Sequence, residues 1–445
     1  MKLLILHHHS REGGVNRIIS SQIESLLSAA PGIDITLLTG EIPLVGGIHP
    51  KNVNMELFPP IFYMEKAGKA SCHNLLDSIM RRLSVPALSE DTVIHVHNAS
   101  LGKNPVLTYA LYLLARKGAR IFNHCHDFAD DGRPENMSFL SDVIEGTFSE
   151  KLSDVLYPSF SNIFYGVLNS RDYSFLKAKL PESSALFLLP NPVHFHRNFP
   201  DAGRKAELRD IFSRLTGADM SKKLVTYPVR AIRRKNIGEF VLLAALFGDT
   251  ANFQITLDPL NENERENYLE WKEFSDINGL NVIFGMGRVM KFQDILLITD
   301  FCATTSVKEG FGMAFLEPWL FRLPVVGRRI DYVTNDFINE GIVLDRLYDK
   351  LEIPSENGPV DFPHLSREEQ MAFIKRISND ASVRDSFFGK NRFLKDLFKT
   401  VPPELIEKNR RKVMMNYSVE SYGEKLYEIY KRMLDGVPGT FPAAS

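Results

Sequence analysis

The stretch of sequence that decides the fold is EGFGMAFLE, residues 309–317. It follows the apolar segment 301–304, which predicts a buried strand, and it leads into a segment with helical spacing. Gly310 and Gly312 allow backbone N–H groups to approach a ligand closely, and a helix N-terminus beneath them would favour a phosphate. Glu309 and Glu317 would then line one edge of a cleft and accept hydrogen bonds from sugar hydroxyls. The alternative is an acidic residue favoured by the helix dipole and an unrelated surface glutamate.

A basic segment lies earlier in the same half of the chain. It reads RAIRRKN, residues 230–236, and follows the predicted strand 224–229. At the carboxyl end of a strand, the planar guanidinium groups of arginine and the ammonium group of lysine can bind the oxygen atoms of a diphosphate. The alternative is a solvated basic turn.

Strand and helix patterns alternate along both halves of the chain, which predicts parallel sheets covered on both faces. The predicted strands are 3–7, 35–38, 93–96, 120–124, 164–169 and 185–189, then 224–229, 253–257, 282–284, 301–304, 324–326 and 342–344. The Pro-Asn-Pro segment 190–192 breaks the pattern and marks a boundary. We therefore predict an α/β protein with two doubly wound, Rossmann-like domains that face a shared cleft. Residues 1–190 would bind the acceptor, residues 191–410 a nucleotide sugar, and residues 411–435 would form a helix that packs back on the first domain.

Composition excludes several classes of protein. The 445 residues include 53 Lys and Arg against 55 Asp and Glu, a net charge of −2, so no excess of positive charge attracts nucleic acid or an anionic membrane. No apolar run is long enough to span a membrane. The three cysteines lack CxxC spacing, which favours a reducing, cytoplasmic location.

In order and spacing, these motifs resemble the retaining glycosyltransferases of family 4, which have the GT-B fold. The Glu-x7-Glu element is that family's hallmark, and the resemblance covers nearly the whole chain. It implies a C-terminal helix that crosses back to the first domain. It also implies that a hexose moves from a nucleotide sugar to a hydroxyl with its anomeric configuration retained, without a metal or other cofactor.

The resemblance implies a role for each matching residue. His126 and Glu309 would act at the reacting sugar. The donor would be bound by residues that match the family's glycine loop, its diphosphate cations, its nucleobase segment and its Glu-x7-Glu element, which here are Gly13, Gly14, Arg230, Lys235, Val289, Gly310, Phe311, Gly312, Met313 and Glu317. A long polar loop follows His126, and three of its residues could select the acceptor: Asp127, Arg133 and Asn136. The alternative for this loop is a solvated turn.

Two features leave the function open. The family often has Gly-Gly and Glu after strand 324–326, where this chain has GRRID, and these cations either face an acidic ligand or lie on the surface. Histidines cluster near strand ends, at His95, His97 and His124 among others, and whether they bind a metal is undecided; we expect none at the donor.

We predict a cytoplasmic hexosyltransferase that uses UDP-glucose or GDP-mannose and a small, soluble acceptor with acidic character, such as a glyceric-acid glycoside. Its partners would be these substrates alone, with no nucleic acid and no membrane segment; a homodimer is compatible with the sequence. The alternatives are a glycosyltransferase of cell-surface polysaccharide or glycolipid synthesis, and a phosphorylase or reversible synthase on the same fold.

Overall fold

The computed structural model describes residues 1–11, 13–43, 53–66, 68–194, 202–260, 262–355 and 358–437. The chain divides into two compact units. The first contains residues 1–194 and 417–445, and the second contains residues 195–416.

The first unit is built on a seven-stranded parallel sheet with the order β3-β2-β1-β4-β5-β6-β7. Its strands are β1 Lys2–His7, β2 Asp34–Thr39, β3 Asn54–Leu57, β4 Thr92–His97, β5 Ile121–Cys125, β6 Ile163–Val167 and β7 Ala185–Leu188. Its helices are α1 Gly14–Ala29, α2 Lys69–Ala87, α3 Pro105–Arg116, α4 Pro134–Ile144, α5 Leu152–Leu156 and α6 Ser170–Lys177, joined by the last helix of the chain, α16 Val419–Leu434.

Apolar side chains alternate between the two faces of this sheet, as period-two strands require. In β1, Leu4 and Leu6 pack in one core, whereas Leu3 and Ile5 pack in the other. Helices α1 and α16 cover the second core. Leu426 of α16, for example, is fully buried there. The return of the chain to the first unit therefore completes one face of its sheet.

The second unit contains a six-stranded parallel sheet with the order β10-β9-β8-β11-β12-β13, and a separate antiparallel pair, β14-β15. The strands are β8 Lys223–Arg230, β9 Ala251–Leu257, β10 Val282–Phe284, β11 Phe301–Thr304, β12 Val325–Arg328, β13 Leu347–Tyr348, β14 Glu352–Ile353 and β15 Val360–Asp361. The helices are α7 Ala202–Thr216, α8 Ile237–Phe247, α9 Glu262–Ile277, α10 Phe292–Ile298, α11 Glu317–Leu320, α12 Asp331–Asn339, α13 Arg367–Asn379, α14 Ala381–Lys390 and α15 Pro403–Tyr417.

The predicted fold class is confirmed, because both units are α/β with parallel sheets. One predicted strand is wrong. Residues 342–344 form no strand, although Ile342 is buried. The side chain of Asn409 instead accepts a hydrogen bond from Val343 N at 2.9 Å and donates one to Val343 O at 2.8 Å. An amide side chain thus satisfies the backbone groups that a sheet would otherwise pair, and the edge strand forms at β13.

The segment after β11 also differs from the prediction. Residues 313–315 form a single 3-10 turn, and α11 begins only at Glu317. Glu317 is therefore the first residue of a four-residue helix, so the expected helix does not begin directly beneath Gly310 and Gly312. Four residues are too few for α11 to supply a helix dipole to Gly310 and Gly312.

Within the part of the chain that the structure describes, no helix has the length and apolar character needed to cross a membrane.

Candidate functional site

The strand order of the second unit reverses between β8 and β11, which are neighbours in the sheet. Open α/β sheets bind ligands beyond the carboxyl ends of the strands at such a switch point. The two predicted donor motifs follow these two strands. Lys235 comes five residues after the end of β8, and Glu309 comes five residues after the end of β11.

Lys235 and Glu309 are in direct contact. Nζ of Lys235 donates a hydrogen bond to Oε1 of Glu309, and NH1 of Arg234 donates one to Oε2 at 2.7 Å. Lys235 and Glu309 are 8% and 7% exposed, whereas the side chain of Arg234 is 43% exposed. Two cations and one carboxylate therefore form one cluster, the Arg234–Lys235–Glu309 cluster, with a surplus of one positive charge.

The cluster keeps Glu309 ionised. Burial alone would raise the pKa of Glu309, but the charges of Lys235 and Arg234 outweigh burial and hold that pKa below its usual value. Burial has the opposite effect on a cation, and it lowers the pKa of Lys235 in spite of the nearby carboxylate. Glu309 is thus available as a fixed negative charge.

Three residues that the sequence analysis did not single out hold this cluster in place. The hydroxyl of Tyr332 donates to Glu309 O at 2.8 Å and accepts from Glu309 N at 3.0 Å. The hydroxyls of Tyr227 and Thr305 donate to Lys235 O at 2.9 and 3.0 Å. Tyr332 and Thr305 lie 23 and 70 residues from their partners, so no local pattern in the sequence signals either contact.

A glycine is required at position 312. Its backbone has a φ of +90°, and a Cβ there would lie 2.4 Å from Cγ1 of Val333. Phe311 beside it is buried, with its ring 5.6 Å from that of Phe337. Its side chain is therefore part of the core, which leaves the backbone as the part that could meet a ligand. Gly310 is exposed, and Met313 and Glu317 are half-buried.

The other predicted donor residues of this unit lie outside the cluster. NH1 of Arg230 donates to Asp258 O at 3.0 Å. Val289 is 62% exposed and follows the 3-10 turn 286–288. The structure brings Lys235 and Glu309 together, whereas Arg230 is the last residue of β8 and Val289 lies on the loop after β10.

A cavity of about 750 Å³ opens beside the cluster within the second unit. Arg234 and Lys308 line it, together with Trp271 and Arg367. Neither Lys235 nor Glu309 is among its lining residues. Its volume is typical of a small-molecule site, and it adds exposed cations next to the buried pair.

Arg328 is not a ligand-facing cation. It is 5% exposed, and its guanidinium donates to Glu239 at 2.6–3.1 Å and to Asp361 at 2.8 Å. The hydroxyl of Tyr348 donates to Glu239 at 2.8 Å. Arg328 thus ties β12 to α8 and β15, which corrects the expectation that it faces an acidic ligand or lies on the surface.

In the first unit, His126 directly follows β5 and is 7% exposed. Oδ1 of Asn98 accepts hydrogen bonds from the backbone N–H groups of His126 at 2.7 Å and Asp127 at 3.1 Å. Asn98 has a φ of +61°, a conformation that asparagine tolerates better than most residues. Burial lowers the pKa of His126, and His124 adds to the effect, so the imidazole is neutral.

Gly13 and Gly14 are exposed at the start of α1, and a Cβ on Gly14 would have no atom within 4 Å. A ligand therefore has room to approach this backbone.

The loop after His126 is held by its own ion pairs. NH2 of Arg133 donates to Asp127 at 2.6 Å and NH1 donates to Phe128 O at 2.7 Å. Lys179 pairs with Asp130 at 2.7 Å, and Arg171 pairs with Asp131 at 2.8 Å. Asn136 donates to Leu101 O at 2.7 Å. Each of these predicted acceptor residues has a structural partner, and their contact with an acceptor stays a prediction.

Comparison with known proteins places this chain in a family. No family model matches the chain. A curated protein, the mannosylglucosyl-3-phosphoglycerate synthase of Petrotoga mobilis, is 30% identical over 424 residues, which cover 91% of this chain and 80% of the synthase.

Solved structures show the same fold at low identity. The sucrose-phosphate synthase of Thermosynechococcus elongatus superimposes with a TM-score of 0.60 at 14% identity, covering 98% of this chain and 99% of that chain. HepE of Anabaena, solved with UDP-glucose, gives 0.60 at 12% identity and covers 97% and 99% of the two chains. These comparisons confirm the resemblance drawn from the motifs, and the chain belongs to the same glycosyltransferase family as the Petrotoga synthase, with the GT-B fold.

Proposed function

We propose that this glycosyltransferase moves a hexose from UDP-glucose, GDP-mannose or a similar nucleotide sugar to a hydroxyl of a small acidic acceptor that carries a glycerate or phosphoglycerate group. The observation that carries the proposal is the Arg234–Lys235–Glu309 cluster at the switch point of the second unit. It combines cations for a diphosphate with an ionised carboxylate for a sugar.

The cluster can bind the donor diphosphate without a metal. An ammonium group has three N–H donors, and Glu309 takes one from Lys235, so two remain for phosphate oxygens. Arg234 is half-exposed beside it and presents a planar fork to the same anion. Protein cations would then supply the charge that Mg²⁺ supplies in other transferases.

Glu309 would support positive charge as it develops on the sugar ring, because a fixed carboxylate in a buried site needs no reorganisation when the bond to the leaving phosphate breaks. The acceptor hydroxyl would attack from the face that the phosphate leaves, and the phosphate would take the proton, so the anomeric configuration is retained. Neutral His126 would hydrogen-bond to the sugar or the acceptor.

An acidic acceptor is favoured by the name of the curated relative, which makes a product containing 3-phosphoglycerate. In the first unit, three cations pair with aspartates of the loop after His126: Arg133 of the loop itself, Arg171 on α6 and Lys179 just after α6. An anionic acceptor could replace Asp127 on the guanidinium of Arg133, since arginine binds carboxylate and phosphate in the same bidentate way.

The test measures the release of the nucleotide for every combination of donor and acceptor. UDP-glucose and GDP-mannose are each incubated with 3-phosphoglycerate, its glucoside, glucosylglycerate and a neutral alkyl glucoside. We expect release that depends on one donor and on an acidic acceptor, and NMR of the product should show the donor's anomeric configuration. An inverted product would overturn the retaining mechanism, and equal rates with the neutral glucoside would overturn the acidic acceptor.

A variant pair tests the role of Glu309 in this reaction. Glu309→Gln should lower kcat by about 10²–10³-fold, the usual loss of one preorganised electrostatic contact. Glu262→Gln is the control, since the side chain of Glu262 is 84% exposed on α9 of the same unit. Equal activity of the two variants would remove Glu309 from the reaction.

A further inference from the structure

A group of histidines is buried on one face of the sheet in the first unit. His95 and His97 alternate on β4, and His124 on β5 lies directly opposite His97 in the register. Because side chains two residues apart share a face of a strand, the three imidazoles lie together. All three are 0% exposed, which is unusual for a polar side chain with two nitrogen atoms.

The spacing of their nitrogen atoms fits a metal ion. Each of the three residues offers one ring nitrogen, and these atoms lie within 4.8 Å of one another. Nε2 of His95 and Nδ1 of His124 are 3.2 Å apart. Nitrogen ligands at 2.0–2.1 Å from one tetrahedral Zn²⁺ are separated by about 3.3 Å. The pair on β4 and β5 already has that separation, and a ring nitrogen of His97 completes the set of three within 4.8 Å.

The chemical state of the rings suits ligation. Burial lowers the pKa of His95, His97 and His124 well below the usual value, and the neighbouring imidazoles lower it further, so all three are neutral. Neutral imidazole is the form that binds metals.

Hydrogen bonding between the rings does not account for all their nitrogen atoms. Nε2 of His97 and Nε2 of His124 are fully buried and have no hydrogen-bond partner. Buried polar atoms are rarely left in this state, and an ion is one of the explanations for those that are. A chain of hydrogen-bonded imidazoles would explain the contact between His95 and His124, but it would leave Nε2 of His97 unpaired. An ion bound by Nε2 of His95 and Nδ1 of His124 would take that atom as its third ligand.

Outer partners fix the orientation of the rings of His95 and His97. Nδ1 of His95 lies 2.5 Å from the hydroxyl of Tyr430 and 2.7 Å from Nε2 of Gln22. Nδ1 of His97 lies 2.9 Å from Nε2 of His126. Metal-binding histidines donate a hydrogen bond from their second nitrogen, which at His95 requires the Gln22 amide to present its unpartnered Oε1 to Nδ1 in place of Nε2. Close packing around the rings requires a glycine at Gly166 on β6, since a Cβ there would lie 2.5 Å from Cζ of Phe122 and 3.4 Å from Cδ2 of His124.

We propose that His95, His97 and His124 bind one divalent transition-metal ion of the zinc class in the first unit. An all-imidazole ligand set favours zinc, copper or nickel over magnesium and calcium, which prefer oxygen. The ion would join β4 to β5 beneath α1 and α16. It takes no part in holding the donor diphosphate, so the proposal stands independently of the proposed function.

The experiment measures the zinc content of the full chain after expression in zinc-supplemented medium and dialysis. Plasma mass spectrometry should find about one Zn²⁺ per chain. The variants His97→Gln and His124→Gln should each contain at least about tenfold less. His8→Asn is the matched control, because His8 is also buried and has an unpartnered Nε2, but its Nδ1 contacts Ile61 O at 2.7 Å and it lies outside the trio. It should keep the full zinc content.

A zinc content below about a tenth of an equivalent per parent chain would overturn the proposal. An equal loss of zinc in the control and in the ligand variants would also overturn it. If the ligand variants fail to fold, X-ray absorption of the zinc-loaded parent decides the question. Three imidazole nitrogens at about 2.0–2.1 Å are expected, and a shell of oxygen or sulfur ligands would contradict the site.

Discussion

Lys235 shows how a single residue can be identified in the sequence while its environment is missed. The sequence presents it as a cation that faces a phosphate. The structure buries it against Glu309, a residue 74 positions away. No local pattern reports such a pairing, because it depends on β8 and β11 being neighbours in the sheet. Tyr332 and Asn98 were missed for the same reason, since each acts through two hydrogen bonds to residues 23 to 29 positions away.

This burial changes what a substitution of Lys235 should do. Lys235→Ala leaves the Glu309 carboxylate buried with only Arg234 as a counter-charge, and breaking a buried pair typically costs about 3–5 kcal/mol. We expect a fall of that order in the free energy of unfolding in guanidinium, together with weaker nucleotide-sugar binding. Arg234→Ala is the control, because its half-exposed side chain should cost less than about 1 kcal/mol. Equal losses of stability would show that the contact with Glu309 carries little energy.

Asp172 should make stability depend on pH. Burial raises the pKa of its carboxyl to about 6, in spite of opposing contacts from Arg171 and Asn169. Between about pH 4 and 6 the folded chain then binds more protons than the unfolded chain, so this group lowers stability as pH rises.

Asp172→Asn removes that dependence. The free energy of unfolding of the variant, relative to the parent, should rise between pH 4 and 7 by up to about 3 kcal/mol. Chemical denaturation at four pH values measures the difference, and a flat or falling difference would contradict the assigned shift.

Most strands and helices could be predicted, because parallel α/β units bury strands as apolar runs separated by amphipathic helices. The misplaced strand at residues 342–344 shows the limit of this reasoning. An apolar run reports burial, and only the position of Asn409 on α15 shows that its backbone is paired outside the sheet. The short α11 is similar, since Pro318 and the glycines before it signal a turn and a helix start but not the length of the helix.

The packing of α16 on α1 should depend on a glycine in the first half of α16. A Cβ on Gly423 would lie 2.5 Å from Ser25 O, a backbone atom that cannot move away cheaply. Gly423→Ala should therefore destabilise the first unit by about 1–3 kcal/mol, in spite of the higher helix propensity of alanine.

Gly389→Ala, on α14, is the matched control for Gly423→Ala. A Cβ at that exposed position meets no atom within 4 Å, so alanine should stabilise slightly, by about 0.5–1 kcal/mol. Thermal unfolding of both variants measures the two effects, and a stabilised Gly423→Ala would mean that the helices separate without cost.

At the scale of the whole molecule, the first unit is assembled from two distant parts of the chain. Residues 1–194 supply the sheet, and α16 arrives only after the second unit is complete. The sequence predicted this return through family resemblance and an amphipathic pattern. The pattern alone shows that α16 has a buried face, and it cannot show which unit buries it.

Removing α16 should therefore unfold one unit and spare the other. Five large side chains of α16 are at most 4% exposed: Tyr422, Leu426, Ile429, Tyr430 and Met433. At about 1.5–3 kcal/mol for each buried side chain, their loss is of the same order as the whole stability of a domain, about 5–15 kcal/mol. In a chain that ends at Asn416, we expect fast hydrogen exchange at β1 and β4 and unchanged protection at β8 and β9.

A chain that ends at Val437 keeps α16 and serves as the control. Equal protection of β1 and β4 in the two chains would mean that the sheet of the first unit folds without α16, and that the helix only covers a face that is already stable.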